Sequence, residues 1–244
     1  MTAAEQYVDS VLATARRAAD AQADRIEAAA RLAADALRKD GFVFAFGTGH
    51  SHLLAEELFY RAGGLARVCP IFEDALMLHR AAARSSALER MPGLAAALLD
   101  DVDAVRHGGV MFLFSNSGCN TVAVEMAEEA RRRGLATVAV TSFAHGRRMV
   151  SRHPEGKKLA DVCDVAIDNG GVYGDAAVRV GDTAVGATST VVGAMIVEAV
   201  VCRTVELARE GGFPAEVFAS ANTAGGDEEN AALIRKYKPL VKAL

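Results

Sequence analysis

The sequence predicts an α/β fold in which a five-stranded parallel sheet is covered by helices on both faces. Short, uninterrupted apolar runs alternate with segments whose apolar residues follow helical spacing, an order typical of doubly wound parallel sheets. Two of the runs, residues 42–46 and 109–114, lead directly into loops rich in glycine and serine. Because these runs lack polar alternation, we expect both to be buried parallel strands.

The remaining elements follow from the same alternation. Residues 2–39 are rich in Ala, Leu, Arg and Glu at helical spacing and predict one long helix or two abutting helices. Strands are expected at 42–46, 66–70, 109–114, 135–141 and 164–168, and helices near 51–62, 93–105, 120–133 and 187–210. Two long connections, 142–160 and 169–188, interrupt this order. Connections of that length usually have a function, so both are candidate walls of an active site.

The length and composition set the domain organisation. A chain of 244 residues with 51% hydrophobic content can bury the core of one large α/β domain with a helical extension. We therefore divide it into an N-terminal helical segment (1–40), the α/β domain (41–210) and a C-terminal tail (211–244) that packs on the domain or on a partner subunit.

Composition also argues against several classes of protein. The net charge of -4 and the scattered basic residues argue against nucleic acid as a partner. The N-terminus lacks the apolar core of a signal peptide, and no run of about 18 apolar residues occurs, so we expect a soluble cytoplasmic protein. No disulfide is expected from four widely spaced cysteines. The glycine motifs match neither a dinucleotide fingerprint nor a P-loop, and no spacing fixes a metal site, so no cofactor or metal is expected.

The two glycine and serine loops predict a phosphate-binding cradle. The first consists of Gly47, Thr48, Gly49, His50 and Ser51, and the second of Ser115, Asn116, Ser117, Gly118, Cys119 and Asn120. Main-chain N–H groups and helix dipoles converge on an anion where a strand ends and a helix begins. Ser115, Ser117 and Asn120 have the spacing to surround the oxygens of a phosphate. An ordinary helix cap is the alternative, since serine and asparagine also favour that position.

The loops, their order and the strand-helix frame resemble the SIS (sugar isomerase) domain, whose members bind phosphosugars. The first loop resembles the G-x-G-x-S element of the family and the second its S-x-S-G-x-[ST] element, with Asn120 where Ser or Thr is common. Ser189 and Thr190 resemble the Ser-Thr loop of amino-sugar members such as N-acetylmuramic acid 6-phosphate etherase; a plain N-cap is the alternative. The resemblance spans roughly residues 40–210 and implies a homodimer or homotetramer with sites near the subunit boundary.

Glu57 is the first candidate for a catalytic base. It ends an Ala-Glu-Glu segment, residues 55–57, that resembles the segment of phosphoheptose isomerases in which the second Glu is catalytic. About one helical turn fewer separates this segment from Ser51 than in those isomerases. They also use a His on the last helix, where this chain has Glu198. The alternative for Glu57 is a solvated helix surface.

Glu73 and His79 are the other catalytic candidates. Glu73 and Asp74 follow the second predicted strand and loosely resemble the Glu-Asp pair of the muramic acid etherases. Burial or a neighbouring like charge would raise one carboxyl pKa, as proton transfer at carbon requires. His79 lies about one and a half turns later and is a candidate proton shuttle. The alternative is an N-cap, with Asp74 as the capping residue of a helix that contains Leu76 to Ala83.

Together these residues predict an enzyme that removes the proton alpha to a sugar carbonyl. We expect β-elimination on an N-acetylhexosamine 6-phosphate. A C2 that carries an acetylated nitrogen cannot readily become a ketone through an enediol, so loss of the C3 substituent is favoured over isomerisation. Aldose-ketose isomerisation is the alternative reaction. A non-enzymatic phosphosugar sensor is the alternative class of protein, because binding residues alone do not separate binding from turnover.

Overall fold

The computed structural model describes all 244 residues. Its main sheet has five parallel strands: β1 (Phe42–Gly47), β2 (Val68–Pro70), β3 (Gly109–Phe114), β4 (Ala136–Thr141) and β5 (Val165–Asp168). Their spatial order is β2-β1-β3-β4-β5. The predicted five-stranded parallel sheet is therefore confirmed, and every strand lies within about two residues of its expected position.

Ten helices surround the sheet: α1 (Ala3–Ala21), α2 (Ala23–Arg38), α3 (His52–Leu58), α4 (Leu78–Leu88), α5 (Leu94–Asp100), α6 (Thr121–Arg132), α7 (Phe143–Arg148), α8 (Leu159–Val162), α9 (Ser189–Glu210) and α10 (Gly226–Tyr237). The N-terminal segment is thus two abutting helices, which meet at Gln22. None of the ten combines the length and apolar composition needed to cross a bilayer.

Several elements differ from the sequence prediction. The helix expected at 93–105 divides into α5 and a 3-10 turn over Asp103–His107. The two long connections contain regular structure of their own: α7 and α8 lie in the first, and an antiparallel hairpin of β6 (Val178–Val180) and β7 (Thr183–Val185) lies in the second. Five of the six hairpin residues are exposed, so no run of buried apolar side chains marks them.

Two hydrophobic cores lie on opposite faces of the sheet. Alternate residues of each strand point to opposite sides, so Val43 and Phe112 pack under α2 and α9 while Phe44 and Leu113 pack under α5 and α6. All six residues of β1 are buried. The central strands are therefore covered on both sides, which is why their sequences show no polar alternation.

Gly109 allows the two central strands to pair. It is opposite Phe42 in the parallel register of β1 and β3, with a φ of 145°. A Cβ at this position would lie 2.0 Å from the Phe42 carbonyl oxygen, so a side chain would force the strands apart. The same register pairs Gly47 with Phe114, and the loops that follow these residues therefore emerge side by side.

An ion-pair network joins α6 to α5 on the face of the sheet that these two helices cover. Glu129 accepts hydrogen bonds from Arg132 and Arg133, and Arg133 also donates to Asp100 at 2.6 Å. The Glu129 side chain is only 12% exposed. Its hydrogen bonds to Arg132 and Arg133 lower the pKa of the Glu129 carboxyl to about 2.

We expect Glu129→Gln to lower the free energy of unfolding by roughly 1–2 kcal/mol at neutral pH, because charged hydrogen bonds are lost. A depressed carboxyl pKa stabilises the fold above the ordinary value of 4.5, and this stabilisation is lost as pH falls toward 2. The difference between the two proteins in urea unfolding should therefore shrink between pH 7 and pH 3. Glu228→Gln, at an exposed position of α10, is the control, and a difference that does not depend on pH would contradict the assignment.

Candidate functional site

A cavity of about 210 Å³ lies where the two glycine and serine loops meet the start of α9. Both loops and the Ser-Thr loop contribute to its wall, although more than 130 residues separate the first from the last in the sequence. The lining residues are His50, Ser51, Leu54, Ser115, Asn116, Val140, Asn169, Asp175, Ala187, Ser189 and Thr190. Six of the predicted binding residues are therefore brought together in one cavity.

The glycines of the first loop shape the cavity rather than line it. A Cβ at Gly47 would lie 2.4 Å from the Ser51 carbonyl oxygen, so the turn into α3 requires glycine there. Gly49 has a φ of 57° and begins the 3-10 turn that presents His50 and Ser51. Thr48 is buried and does not line the cavity; its hydroxyl donates a hydrogen bond to the Glu89 carboxylate at 2.7 Å.

The second loop uses its own hydroxyls to hold its main chain. Ser115 Oγ accepts a hydrogen bond from the Gly118 N–H at 3.2 Å, and Ser117 Oγ accepts one from the Cys119 N–H at 3.3 Å. Each hydroxyl thereby accepts one bond and keeps its proton for a ligand oxygen. Ser115 lines the cavity described above, whereas Ser117 and Gly118 line a neighbouring cavity of about 490 Å³ that also contains Arg147. The loop is thus the wall between two cavities.

The side chains of the last two residues of this loop are buried or hydrogen-bonded within the protein. Cys119 is fully buried, and burial raises the pKa of its thiol despite the nearby Lys158 and Arg152. Asn120 Oδ1 accepts a hydrogen bond from the Arg152 guanidinium at 3.0 Å. A buried thiol with a raised pKa is a packing residue rather than a nucleophile.

The connection between β4 and β5 supports the second loop from outside. Its N–H groups at Ser142, Arg152 and Leu159 donate to the carbonyls of Asn116, Cys119 and Gly118 at 2.9, 2.9 and 2.8 Å. These bonds fix the orientation of the loop. The sequence predicts residues 142–160 as a wall of the site, but none of them lines this cavity; several line the neighbouring one, and α7 and α8 hold the second loop in place.

Asp175 is a site residue that the sequence did not single out. Its carboxylate accepts hydrogen bonds from the N–H groups of Thr188 at 3.0 Å and Ser189 at 3.1 Å, and from the Ser189 hydroxyl. It lies in the Gly- and Asp-rich connection 169–188, which was a candidate wall. The sequence offered no signal to distinguish Asp175 from the other acids of that segment.

Glu57 belongs to an acidic cluster between α3 and α9. Arg61 contacts Glu57 at 2.6 Å and Glu198 at 3.3 Å. Burial raises the pKa of Glu198, the Glu57 charge adds to this effect, and Arg61 opposes it. Glu198, noted in the sequence only because the chain lacks a histidine there, thus lies in the same cluster as the predicted base.

Neither Glu57 nor Glu198 lines the cavity; their cluster lies further along the contact between α3 and α9. Leu54 lines the cavity and packs on Gly193 of α9, where a Cβ would lie 2.6 Å from a Leu54 methyl group. Glu57 lies three residues further along α3, which is about 4.5 Å of helix rise. Glu198 lies five residues beyond Gly193, about 7.5 Å further along α9.

Glu73 and His79 do not line this cavity. Glu73 caps a 3-10 turn by accepting from the Ala75 N–H at 3.0 Å, and it lines a separate cavity of about 370 Å³ that includes Lys242 of the C-terminal tail. His79 is exposed at the start of α4, with its ring 6.3 Å from that of buried His52. His79 therefore lies close to the first loop but outside the cavity wall. The capping residue is Glu73, on a 3-10 turn, and not Asp74 as predicted.

The fold and the loops define the class of protein. The sequence matches the SIS domain over residues 6–142, more than half of the chain, and the protein belongs to the SIS domain family. Relatives match along most of the chain. The UPF0309 protein lin2794 of Listeria innocua is 40% identical over 240 residues, covering 98% of this chain and 97% of the relative. The UPF0309 protein of Geobacillus thermodenitrificans is 44% identical over 211 residues, with coverage of 86% and 84%.

Solved structures show the same fold at low sequence identity. A phosphoheptose isomerase from Francisella tularensis superposes with a TM-score of 0.54 at 17% identity, covering 84% of this chain and 98% of the isomerase. The phosphoheptose isomerase GmhA from Neisseria gonorrhoeae gives a TM-score of 0.51 at 16% identity, with coverage of 82% and 95%. At this identity the likeness establishes the fold.

We expect Gly47→Ala to destabilise the protein by about 1–3 kcal/mol, because the new methyl group overlaps the backbone of the turn that carries Ser51. Urea unfolding measures the cost, and amide NMR shifts of residues 48–52 report the local change. Gly134→Ala is the control for the shifts: alanine is strained there by the φ of 81°, but its Cβ would meet no atom within 4 Å, so the shifts of residues 48–52 should stay unaltered. An unfolding midpoint for Gly47→Ala equal to that of the unsubstituted protein would contradict the proposed turn geometry.

Proposed function

We propose that the protein is a sugar-phosphate enzyme that removes the proton alpha to the carbonyl of an open-chain substrate. The observation that supports this most is the single cavity shared by Ser51, Ser115 and the Ser189-Thr190 loop, with an acidic cluster along the seam behind it. The donors suit a phosphate and the acids suit proton transfer at carbon. Membership in the SIS domain family supports the same assignment.

The phosphate is held mainly by neutral donors in this proposal. No Lys or Arg lines the cavity, and its hydroxyl and amide groups come from Ser51, Ser115, Asn116, Asn169, Ser189 and Thr190. Because the Ser115 hydroxyl already accepts a bond from its own loop, its proton remains available for a phosphate oxygen. In the proposal, residues 117–120 hold the Ser115–Asn116 segment in place, and Gly47, Thr48 and Gly49 shape the first loop.

The two acids at the α3–α9 seam have complementary roles in our proposal. Glu57, paired with Arg61, removes the C2 proton and leaves an enolate. Glu198, whose pKa is raised by burial, keeps its proton to a higher pH and can protonate the departing group at C3. This pair supports β-elimination on an N-acetylhexosamine 6-phosphate. Glu198 takes the place of Glu73, which the sequence proposed together with Glu57 as the base and the acid without fixing their order.

Isomerisation is the second candidate reaction. The structural likeness to two phosphoheptose isomerases favours it, because the same enolate reprotonated at C1 moves the carbonyl instead of expelling a substituent. The nature of the C2 substituent decides between these fates: a free hydroxyl permits an enediol and hence a ketose, whereas an acetylated nitrogen favours loss of the C3 group.

We expect Glu57→Gln to reduce turnover by at least 100-fold while phosphosugar binding is retained, since a general base contributes roughly 10²–10⁴-fold. Proton NMR in deuterated water with N-acetylglucosamine 6-phosphate, glucosamine 6-phosphate, fructose 6-phosphate and sedoheptulose 7-phosphate measures C2 exchange and product. A vinyl signal identifies elimination, and a new aldose or ketose identifies isomerisation.

Glu56→Gln is the matched control for this experiment. Glu56 is the neighbouring carboxylate on α3, but it is exposed and faces His52 at 3.6 Å rather than Arg61. Turnover by this variant should stay within about threefold of the unsubstituted enzyme. Binding of all four sugars without exchange or product would overturn the enzymatic proposal in favour of a phosphosugar sensor.

We also propose a homodimer or homotetramer, with α1 and the β6–β7 hairpin at the subunit boundary. Val8 and Leu12 are exposed one turn apart on α1, and Val180 and Val185 are exposed on the hairpin. The Tyr7 hydroxyl donates to the Ala187 carbonyl at 2.7 Å, so this apolar face lies beside the cavity wall. Exposed apolar patches of this kind mark association surfaces.

Light scattering after gel filtration should therefore give at least twice the 25.6 kDa mass of one chain. The double substitution Val8→Glu and Leu12→Glu should shift the protein toward the monomer, because it places two charges in the apolar face. Val150→Glu, at an 84% exposed position in the connection between β4 and β5, is the control. A monomeric unsubstituted protein would refute the assembly.

A further inference from the structure

One wall of the cavity carries a negative charge that the proposed reaction does not use. Asp175 lines the cavity and is its only carboxylate. Its oxygens accept hydrogen bonds from the Thr188 and Ser189 N–H groups at 3.0 and 3.1 Å, which are the free donors at the start of α9. The carboxylate therefore already occupies the position where the N-terminus of this 22-residue helix would attract an anion.

The position of Asp175 is fixed by contacts on both sides. Its φ of 52° is in the left-handed region, which an aspartate adopts only in a defined turn. The preceding Gly174 N–H donates to His145 Nδ1 at 3.2 Å, and the Tyr173 ring packs on His145 with centroids 5.1 Å apart. The carboxylate is thus held between α7 and α9.

Because of this arrangement, one end of the cavity favours ligand groups that accept hydrogen bonds and the other favours groups that donate them. At the Ser115 end, a hydroxyl with a free proton favours a phosphate oxygen. At the α9 end, the Ser189 hydroxyl donates to Asp175, so it can only accept a bond from a ligand. Ligand groups that donate, such as sugar hydroxyls or an ammonium, fit the α9 end, whereas a second phosphate there would be repelled by Asp175.

We infer that Asp175 is a specificity-determining residue that restricts the cavity to sugars with a single phosphate and excludes sugar bisphosphates. The inference rests on the proposed function, since it assumes that the phosphate binds at the serine loops. The relevant quantity is the ratio of the affinities for a bisphosphate and for the matching monophosphate. A purely structural cap on α9 would change both affinities together and leave this ratio unaltered.

Titration calorimetry with fructose 6-phosphate and fructose 1,6-bisphosphate tests the inference. The unsubstituted protein should bind the monophosphate at least about tenfold more tightly, because the second phosphate faces Asp175. Asp175→Asn keeps an oxygen for the Thr188 and Ser189 N–H groups but removes the charge. In this variant the preference for the monophosphate over the bisphosphate should fall by about tenfold or more, chiefly because the bisphosphate binds more tightly. Asp182→Asn, in the exposed hairpin turn, should leave the ratio unchanged.

The outcomes separate this inference from the proposed function. Monophosphate binding with the same ratio in Asp175→Asn overturns the specificity role alone. Equal affinity of the unsubstituted protein for both ligands overturns it without any variant, so a folding defect in Asp175→Asn does not block the test. If neither fructose phosphate nor any of the four assay sugars binds, the proposed function fails and the inference fails with it.

Discussion

The pairing of β1 with β3 is the constraint on which the rest of the structure depends. It requires Gly109, because any side chain there would collide with the Phe42 carbonyl. The parallel register then brings Gly47 beside Phe114, so two loops that are more than 60 residues apart in sequence emerge at the same edge. The phosphate cradle proposed for this edge follows from the strand register and not from contacts between the loops alone.

The loops keep their shape because other segments satisfy their backbone groups. The hydroxyls of Ser115 and Ser117 accept from the loop N–H groups, and the connection that follows β4 satisfies the loop carbonyls. A preorganised set of donors loses little freedom when a ligand binds, which favours affinity. The supporting segments α7 and α8 lie outside the SIS match, which ends at residue 142.

Local patterns predicted the sheet and the loops, but not the contacts between distant segments. The alternation of short apolar runs with helical spacing identified all five strands, and glycine and serine spacing identified His50, Ser51, Ser115 and Asn116, which line one cavity. The hairpin escaped prediction because its residues are mostly exposed. Asp175 escaped because its partners lie 13 and 14 residues away across that hairpin. Glu73 follows the right strand, but its side chain turns back to cap its own segment.

Two acids, Asp175 at the N-terminus of α9 and Glu198 within α9, link the fold to the proposed chemistry. Asp175 keeps its carboxylate at the N-terminus of the helix, where main-chain N–H groups stabilise the charge. Glu198 lies between two helices, and burial there raises its pKa. The close contact of Leu54 with Gly193 sets the distance between α3 and α9, and thereby the burial of Glu198. Gly193 therefore allows the close packing of α3 on α9, beside which burial raises the pKa of Glu198.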